Sequence, residues 1–223
     1  MNKNLKKIHE YLVSQGVPEE ELMKYDTSSV YLSMEIMEYA HRNQVRENGE
    51  AYANHPSRVL EGYRRMVGII PDDPFCMDDD LMNHYHIPYC GVQEVCLLHD
   101  VIEDTEFTIN DLEEIFNDCG LGNYFEIYIK HAFKCITHDK SMGYEKYIEI
   151  CLKNPISALV KMIDLQDNLY VLDLVDLSEK KYKRSQRYLS YIRVINTVYH
   201  FLENAEAYRK AFKEENLWNS DIS

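Results

Sequence analysis

Residues 95–105 read Val95-Cys96-Leu97-Leu98-His99-Asp100-Val101-Ile102-Glu103-Asp104-Thr105, and this stretch decides the fold. Its apolar positions, 95–98, 101 and 102, point in nearly every direction around a helix, so the helix is buried. The same two turns also carry an imidazole and three carboxylates. A buried charge is stable only when it is paired or coordinates an ion, so this cluster meets partners or holds a cation. At i, i+4 spacing His99 stacks on Glu103 and Asp100 on Asp104, along two adjoining stripes. A divalent metal would answer the electrostatic problem at once.

Outward from this stretch, helical periodicity dominates and no strand alternation of useful length occurs. The spacing predicts helices over 3–14, 18–24, 27–44, 55–67, 92–104, 109–117, 122–137, 142–152, 156–173 and 182–214. Thr108 followed by Asp111 reads as a cap, and Asn154-Pro155 opens a helix with proline in its first turn. The expected fold class is all-α, a helical bundle of about ten helices. Residues 71–90 carry three prolines and a run of acids, and read as an irregular insertion between helices.

Length and composition narrow the function. A chain of 223 residues makes one domain, or a domain with an appendage. With 45% apolar residues it can fill a core, which excludes disorder over most of its length. Only 8 glycines and 6 prolines argue against a sandwich or barrel of many tight turns. A net charge of −14 repels polyphosphate backbones, so a nucleic acid polymer is not an expected partner. A small phosphorylated ligand held by a metal remains open, because the local charge of a site can oppose the global one. The six cysteines form no C-x-x-C pair, and several lie in apolar periodic stretches as small hydrophobes. No run of 18 apolar residues occurs and the first residues lack a signal-peptide core, so the expectation is a soluble, cytoplasmic protein with no membrane partner.

Two more elements repeat the anomaly of buried polarity. In the helix over 156–173, Asp164 stands between Ile163 and Leu165, with Asn168 one turn on along the same face. Alone, such an aspartate is more often paired, and Lys161 is a ready partner. Tyr52-Ala53-Asn54-His55-Pro56 sets a histidine before a helix-initiating proline, where it is more often a cap or a core residue. Together, however, these elements supply two imidazoles and two carboxylates: His55, His99, Asp100 and Asp164. Nitrogen and oxygen donors without thiolate favour Mn²⁺, Fe²⁺ or Zn²⁺ with positions left for water and substrate. Such an ion activates water for attack on phosphorus. Glu103 and Asp104 then remain as catalytic candidates, to orient that water and move protons.

Three blocks of sequence resemble a known family. Ala40-His41-Arg42-Asn43-Gln44-Val45-Arg46 through Tyr52-Ala53-Asn54-His55-Pro56 is similar to the signature AHxGQxRKxGxPYxxHP. Leu97 to Thr105 is similar to LLHDVVEDT, and Lys161 to Leu169 to KLADRLHNM. These are hallmarks of the HD-domain (p)ppGpp hydrolases of the RelA/SpoT type, and the overlap runs over residues 30–175. The resemblance implies Mn²⁺ ligands at His55, His99, Asp100 and Asp164, and a water-activating pair at Glu103 and Asp104. It implies substrate contacts at Arg46, which packs on the guanine base, and at Asn168. Tyr52, three residues before His55, is a further candidate to line the pocket. The implied reaction removes the 3′-pyrophosphate of (p)ppGpp to give GDP or GTP and pyrophosphate. Residues 1–176 would form the hydrolase domain and 177–223 a C-terminal helical extension packed on it; within the family, a single-domain small alarmone hydrolase is the closer comparison.

The chain departs from the family pattern at specific positions. Glu47 replaces a Lys or Arg, and Leu165, Asp167 and Val171 stand at Arg, His and Thr positions. These changes thin the phosphate-recognising shell while leaving the metal chemistry whole. They motivate an alternative substrate: an adenine alarmone, NADPH through its 2′-phosphate, or a nucleoside monophosphate. A non-catalytic nucleotide sensor is the other alternative, with residues 177–218 as its docking helix. The plainer reading of that segment is an apolar stripe, Tyr188, Ile192, Ile195, Val198, Tyr199 and Leu202, packed on the domain. His41 reads as a supporting residue rather than a catalytic one.

Overall fold

A computed structural model describes residues 2–25, 28–68, 79–172 and 178–219. In chain order its helices are α1 (Lys3–Ser14), α2 (Glu19–Tyr25), α3 (Ser29–His41), α4 (Asn54–Val67) and α5 (Asp79–His84). They continue with α6 (Val92–Leu98), α7 (Val101–Asp104), α8 (Ile109–Asp118) and α9 (Gly122–Tyr124). A π-helical turn, Phe125–Ile129, leads into α10 (Lys130–Ile136), followed by α11 (Tyr144–Cys151) and α12 (Pro155–Tyr170). The last two are α13 (Glu179–Tyr199) and α14 (Phe201–Asn219). Among the described residues the only β-type pairing is an isolated bridge between Val45 and Ala51. The fold is all-α, and none of the described helices is long and apolar enough to cross a membrane.

Local chemistry starts these helices where the sequence says it should. Thr108 and Asp111 form a reciprocal capping box on α8. Asn154 accepts from the Ser157 N–H at 3.0 Å while Pro155 fills the first helical position of α12. The core then gathers around α6, in which every residue from Val92 to Leu98 is buried. Helices α3, α4 and α12 pack against it, and α12 also touches α10, α11 and α13. Helices α4 and α12, both packed on α6, carry His55 and Asp164, and His99 caps the C-terminal end of α6.

Three expected helices are divided. The helix predicted over 92–104 breaks at His99-Asp100, where Asp100 has φ −95° and ψ −9°. That loosened turn separates α6, buried all round, from α7, which has a wet face at Glu103 and Asp104. The helix predicted over 122–137 contains the π turn, in which the Lys130 N–H reaches back to the Phe125 carbonyl. The extra residue keeps Phe125 and Ile129 both buried. The helix predicted over 182–214 breaks at His200, in the left-handed region with φ 52°. The reversal directs Phe201, Ala205 and Tyr208 into the core, and α14 packs on α4 and α5. The irregular insertion expected over 71–90 lies outside the described residues up to position 78. In its second half α5 forms and packs on α14, and Met82 and Ile87 are buried.

A glycine sets the closest approach of the two helices that carry His55 and Asp164. A Cβ built on Gly62 of α4 would lie 2.8 Å from Ile163 Cγ2 of α12, well inside van der Waals contact. Valine at this position must push the helices apart, and overpacking of this kind costs about 3 kcal/mol. Gly62→Val is expected to lower the melting temperature by roughly 6–12 °C. Calorimetry on the metal-free protein measures it; an unchanged melting temperature would refute the close-packing account.

Candidate metal centre and cleft

The site is built where α4, the α6–α7 junction and α12 meet. His55 Nε2 lies 3.1 Å from Asp164 Oδ1 and 3.5 Å from Asp100 Oδ2. His99 Nε2 lies 3.2 Å from Asp100 Oδ2 and 3.8 Å from Asp164 Oδ1. One ligand atom each from His55, His99 and Asp100 fall within 4.8 Å of one another, the spacing a single ion needs. Asp164 stands beside this trio with its carboxylate already engaged. Lys161 Nζ donates to Oδ2 at 2.7 Å and Asn168 Nδ2 to Oδ1 at 2.6 Å. The lysine expected as a simple partner of Asp164 and the clustering of Asp164 with the histidines thus occur together.

The donor atoms point inward for identifiable reasons. His99 Nδ1 lies 2.9 Å from the Cys96 carbonyl, which accepts its proton and turns the lone pair of Nε2 to the centre. That Nε2 is fully buried and has no hydrogen-bond partner among the described residues. An orphaned buried imidazole nitrogen facing two carboxylates is the donor set that a divalent cation satisfies. Burial alone would lower His99, but the Asp100 and Asp164 carboxylates outweigh it and hold the imidazole up at about 10. Burial would raise Asp164, yet Lys161 above all holds it well below the usual carboxylate range.

The loop between α3 and α4 supplies the rest. It is pinned by Arg46 N–H to the Glu50 carbonyl at 2.8 Å and Tyr52 N–H to the Gln44 carbonyl at 3.0 Å. Gln44 Nε2 in turn donates to the Asp104 carbonyl at 2.7 Å, which ties the loop to α7. The Tyr52 hydroxyl sits between two carboxylates, 2.8 Å from Asp100 Oδ2 and 2.9 Å from Asp104 Oδ2. His41 is buried, stacks on the Tyr52 ring with centroids 4.7 Å apart, and has Nδ1 2.7 Å from Gln44 Oε1. It braces the tyrosine, as a supporting residue would. Glu103 faces the other side, its carboxylate accepting from the His138 N–H at 3.3 Å. Burial, and then the charge of Asp100, raise its pKa above the ordinary glutamate value.

Beside the centre lies a cleft of about 540 Å³. Arg46, Tyr52 and Asn168 line it, as the sequence predicts for the substrate side. Its far wall is α13, through Lys181, Arg184 and Tyr188. Arg46 Nη2 donates to Asn168 Oδ1 at 2.6 Å, and Asn168 holds Asp164, so cleft and centre share side chains.

Three positions carry contacts in the structure that the sequence does not announce. Tyr188 reads there as part of a packing stripe, and it does pack on the core while also lining the cleft. The signal that marks this face is Lys181 and Arg184 at i, i+3 in so acidic a chain. Leu165 reads there as a lost cation near the substrate, but it is fully buried in the core. Asp167 reads as another such loss, yet it bonds His55 Nδ1 at 2.7 Å and takes Arg58 Nε at 2.7 Å.

Asp100 is the carboxylate that meets both His55 and His99 within the trio, so its loss should empty the centre. Asp100→Ala is expected to copurify with no stoichiometric divalent metal while keeping its helical circular dichroism. Elemental analysis of the purified variant checks this, and full metal occupancy would remove Asp100 from the ligand set.

No family model matches the chain. In sequence it is 29% identical over 148 residues to the guanosine-3′,5′-bis(diphosphate) 3′-pyrophosphohydrolase MESH1 of Drosophila melanogaster. That match covers 61% of this chain and 66% of the relative, just under two thirds of the relative's length. In structure the chain matches a metazoan ortholog of SpoT that hydrolyzes ppGpp and plays a role in starvation responses. The TM-score is 0.51 at 20% identity, over 82% of this chain and 96% of the other. The shared all-α fold and the similarity to MESH1 bear out the resemblance carried by the three sequence blocks.

Proposed function

We propose that this protein is a divalent-metal-dependent hydrolase that removes the 3′-pyrophosphate of ppGpp or pppGpp. The observation that carries the reading is one juxtaposition. A His-His-Asp trio with an orphaned, buried imidazole nitrogen is linked, through the Tyr52 hydroxyl bonded to Asp100, to a cleft walled by arginine, lysine and tyrosine. The similarity to MESH1, whose name states this activity, supports the choice of substrate.

On this reading His55, His99, Asp100 and Asp164 hold the ion, with Mn²⁺ the preferred metal and Fe²⁺ or Zn²⁺ able to take its place. The bound ion supplies Lewis acidity toward water and phosphate oxygens. The chain's own residues do the remainder. Tyr52 donates its single hydroxyl proton between Asp100 and Asp104, which fixes the direction of the Asp104 carboxylate. To Glu103 falls the role of taking a proton from the attacking water and returning one to the departing ribose O3′, a role its raised pKa supports. The P–O3′ bond breaks, leaving GDP or GTP and pyrophosphate. Arg46 offers its guanidinium plane to the base from the cleft wall. Lys181 and Arg184 present positive charge toward the phosphates, against the −14 of the whole chain. The segment after residue 177 is then a wall of the binding cleft.

Glu47 and Val171 also line the cleft, and they favour a second reading in which the same centre cleaves another nucleotide. Pyrophosphate release from ppGpp by Mn²⁺-loaded protein decides between the two. Turnover is expected, and EDTA should abolish it. Glu103→Gln should retain metal and lose about 10²–10⁴-fold in kcat. Arg184→Ala should raise KM with kcat little changed, since it removes binding shared by ground and transition states. Metal-loaded protein that spares ppGpp and hydrolyses a different nucleotide would overturn the first reading in favour of the second.

A further inference from the structure

The two imidazoles of the centre are held by different means. The proton on His99 Nδ1 goes to a backbone carbonyl, that of Cys96, at 2.9 Å. His55 Nδ1 instead meets a side chain, Asp167 Oδ2, at 2.7 Å. That carboxylate is itself clamped. Arg58 donates Nε to Oδ1 at 2.7 Å and Nη2 to Oδ2 at 3.1 Å, a two-pronged grip that fixes the carboxylate plane. Arg58 also bonds Glu50, and Arg46 reaches Asp167 Oδ2 from the cleft side at 3.5 Å.

The spacing makes this a built arrangement. Arg58 lies three residues beyond His55 on α4, and Asp167 three beyond Asp164 on α12. Two rungs therefore join the helices, His55 to Asp164 and Arg58 to Asp167, and the bond from His55 to Asp167 is the diagonal between them. A ring held at Nδ1 by a fixed acceptor has one orientation and one tautomer, which leaves the Nε2 lone pair facing Asp100 and Asp164.

Building on the metal-centre reading above, we infer that Asp167, clamped by Arg58, is the positioning residue for the ligand His55. Arg58 acts through Asp167. Without the arginine the carboxylate is free to turn off the imidazole, and without the carboxylate the arginine has no route to His55.

Calorimetric titration of Mn²⁺ into metal-stripped protein tests this. Asp167→Ala is expected to weaken the metal Kd by about 10–100-fold. Asp167→Asn, which keeps an acceptor oxygen for Nδ1, should lose less. Arg58→Ala should weaken binding by a smaller factor than Asp167→Ala, and the Arg58→Ala/Asp167→Ala double variant should be no weaker than Asp167→Ala alone. Arg65→Ala, which removes only an exposed pair with Glu61, should bind as the parent does. Melting of each metal-free variant is compared alongside, because a purely structural role would track stability and leave the Kd of the folded fraction alone. An Asp167→Ala variant that binds Mn²⁺ like the parent, or losses that simply add in the double variant, would overturn the inference. A parent protein that binds no Mn²⁺, Fe²⁺ or Zn²⁺ would instead bring down the metal-centre reading, and this inference with it.

Discussion

Charge buried where three packed helices cross is the constraint on which this molecule turns. His55, His99 and Asp164 are each no more than 3% exposed, and Lys161 reaches Asp164 from within the same helix. Removing one member of such a group leaves an uncompensated charge in a medium that solvates it poorly, at a cost of about 3–5 kcal/mol. The arrangement holds because every donor meets an acceptor or faces the centre. Lys161 also lies over the rings of Tyr144 and Tyr147, which ease its desolvation from the remaining side. The close contact at Gly62, the loosened turn at Asp100 and the pinned loop before α4 all serve to bring these charges within reach of one another.

Much of this was legible in the residues. The pattern of apolar positions around His99 announces burial, and burial with carboxylates announces pairing or a cation. Both follow from local composition. The features that escaped depend on contacts distant in sequence. Asp167 reads as a lost cation because its meaning lies 109 residues away, in Arg58. Leu165 reads as a lost cation near substrate because it stands at the family's Arg position, whereas in this chain the leucine is fully buried in the core. The divisions at Asp100 and His200 escaped because apolar periodicity runs through both; what ends each helix is the surface that the next one has to bury.

The acidity of the chain also takes on a different sense. A net charge of −14 speaks against a long polyanion as partner, and it holds for the surface as a whole. The first half of α13 is the exception, with Lys180, Lys181, Lys183, Arg184 and Arg187 close together. Of these, Lys181 and Arg184 line the cleft that Arg46 also lines, and make a local concentration of positive charge in an otherwise repelling surround. Such a concentration selects for ligands small enough to sit wholly within it.

The placement of α13 has a consequence for the order in which the site comes into being. All the groups at the crossing, and the carboxylate that braces His55, precede residue 169 in the chain. The cations and the tyrosine of the far wall come later, on the helix that starts at Glu179. A chain emerging from the ribosome therefore releases the residues of the crossing before those of the cleft's far wall, and the cleft is complete only once α13 has packed on α12.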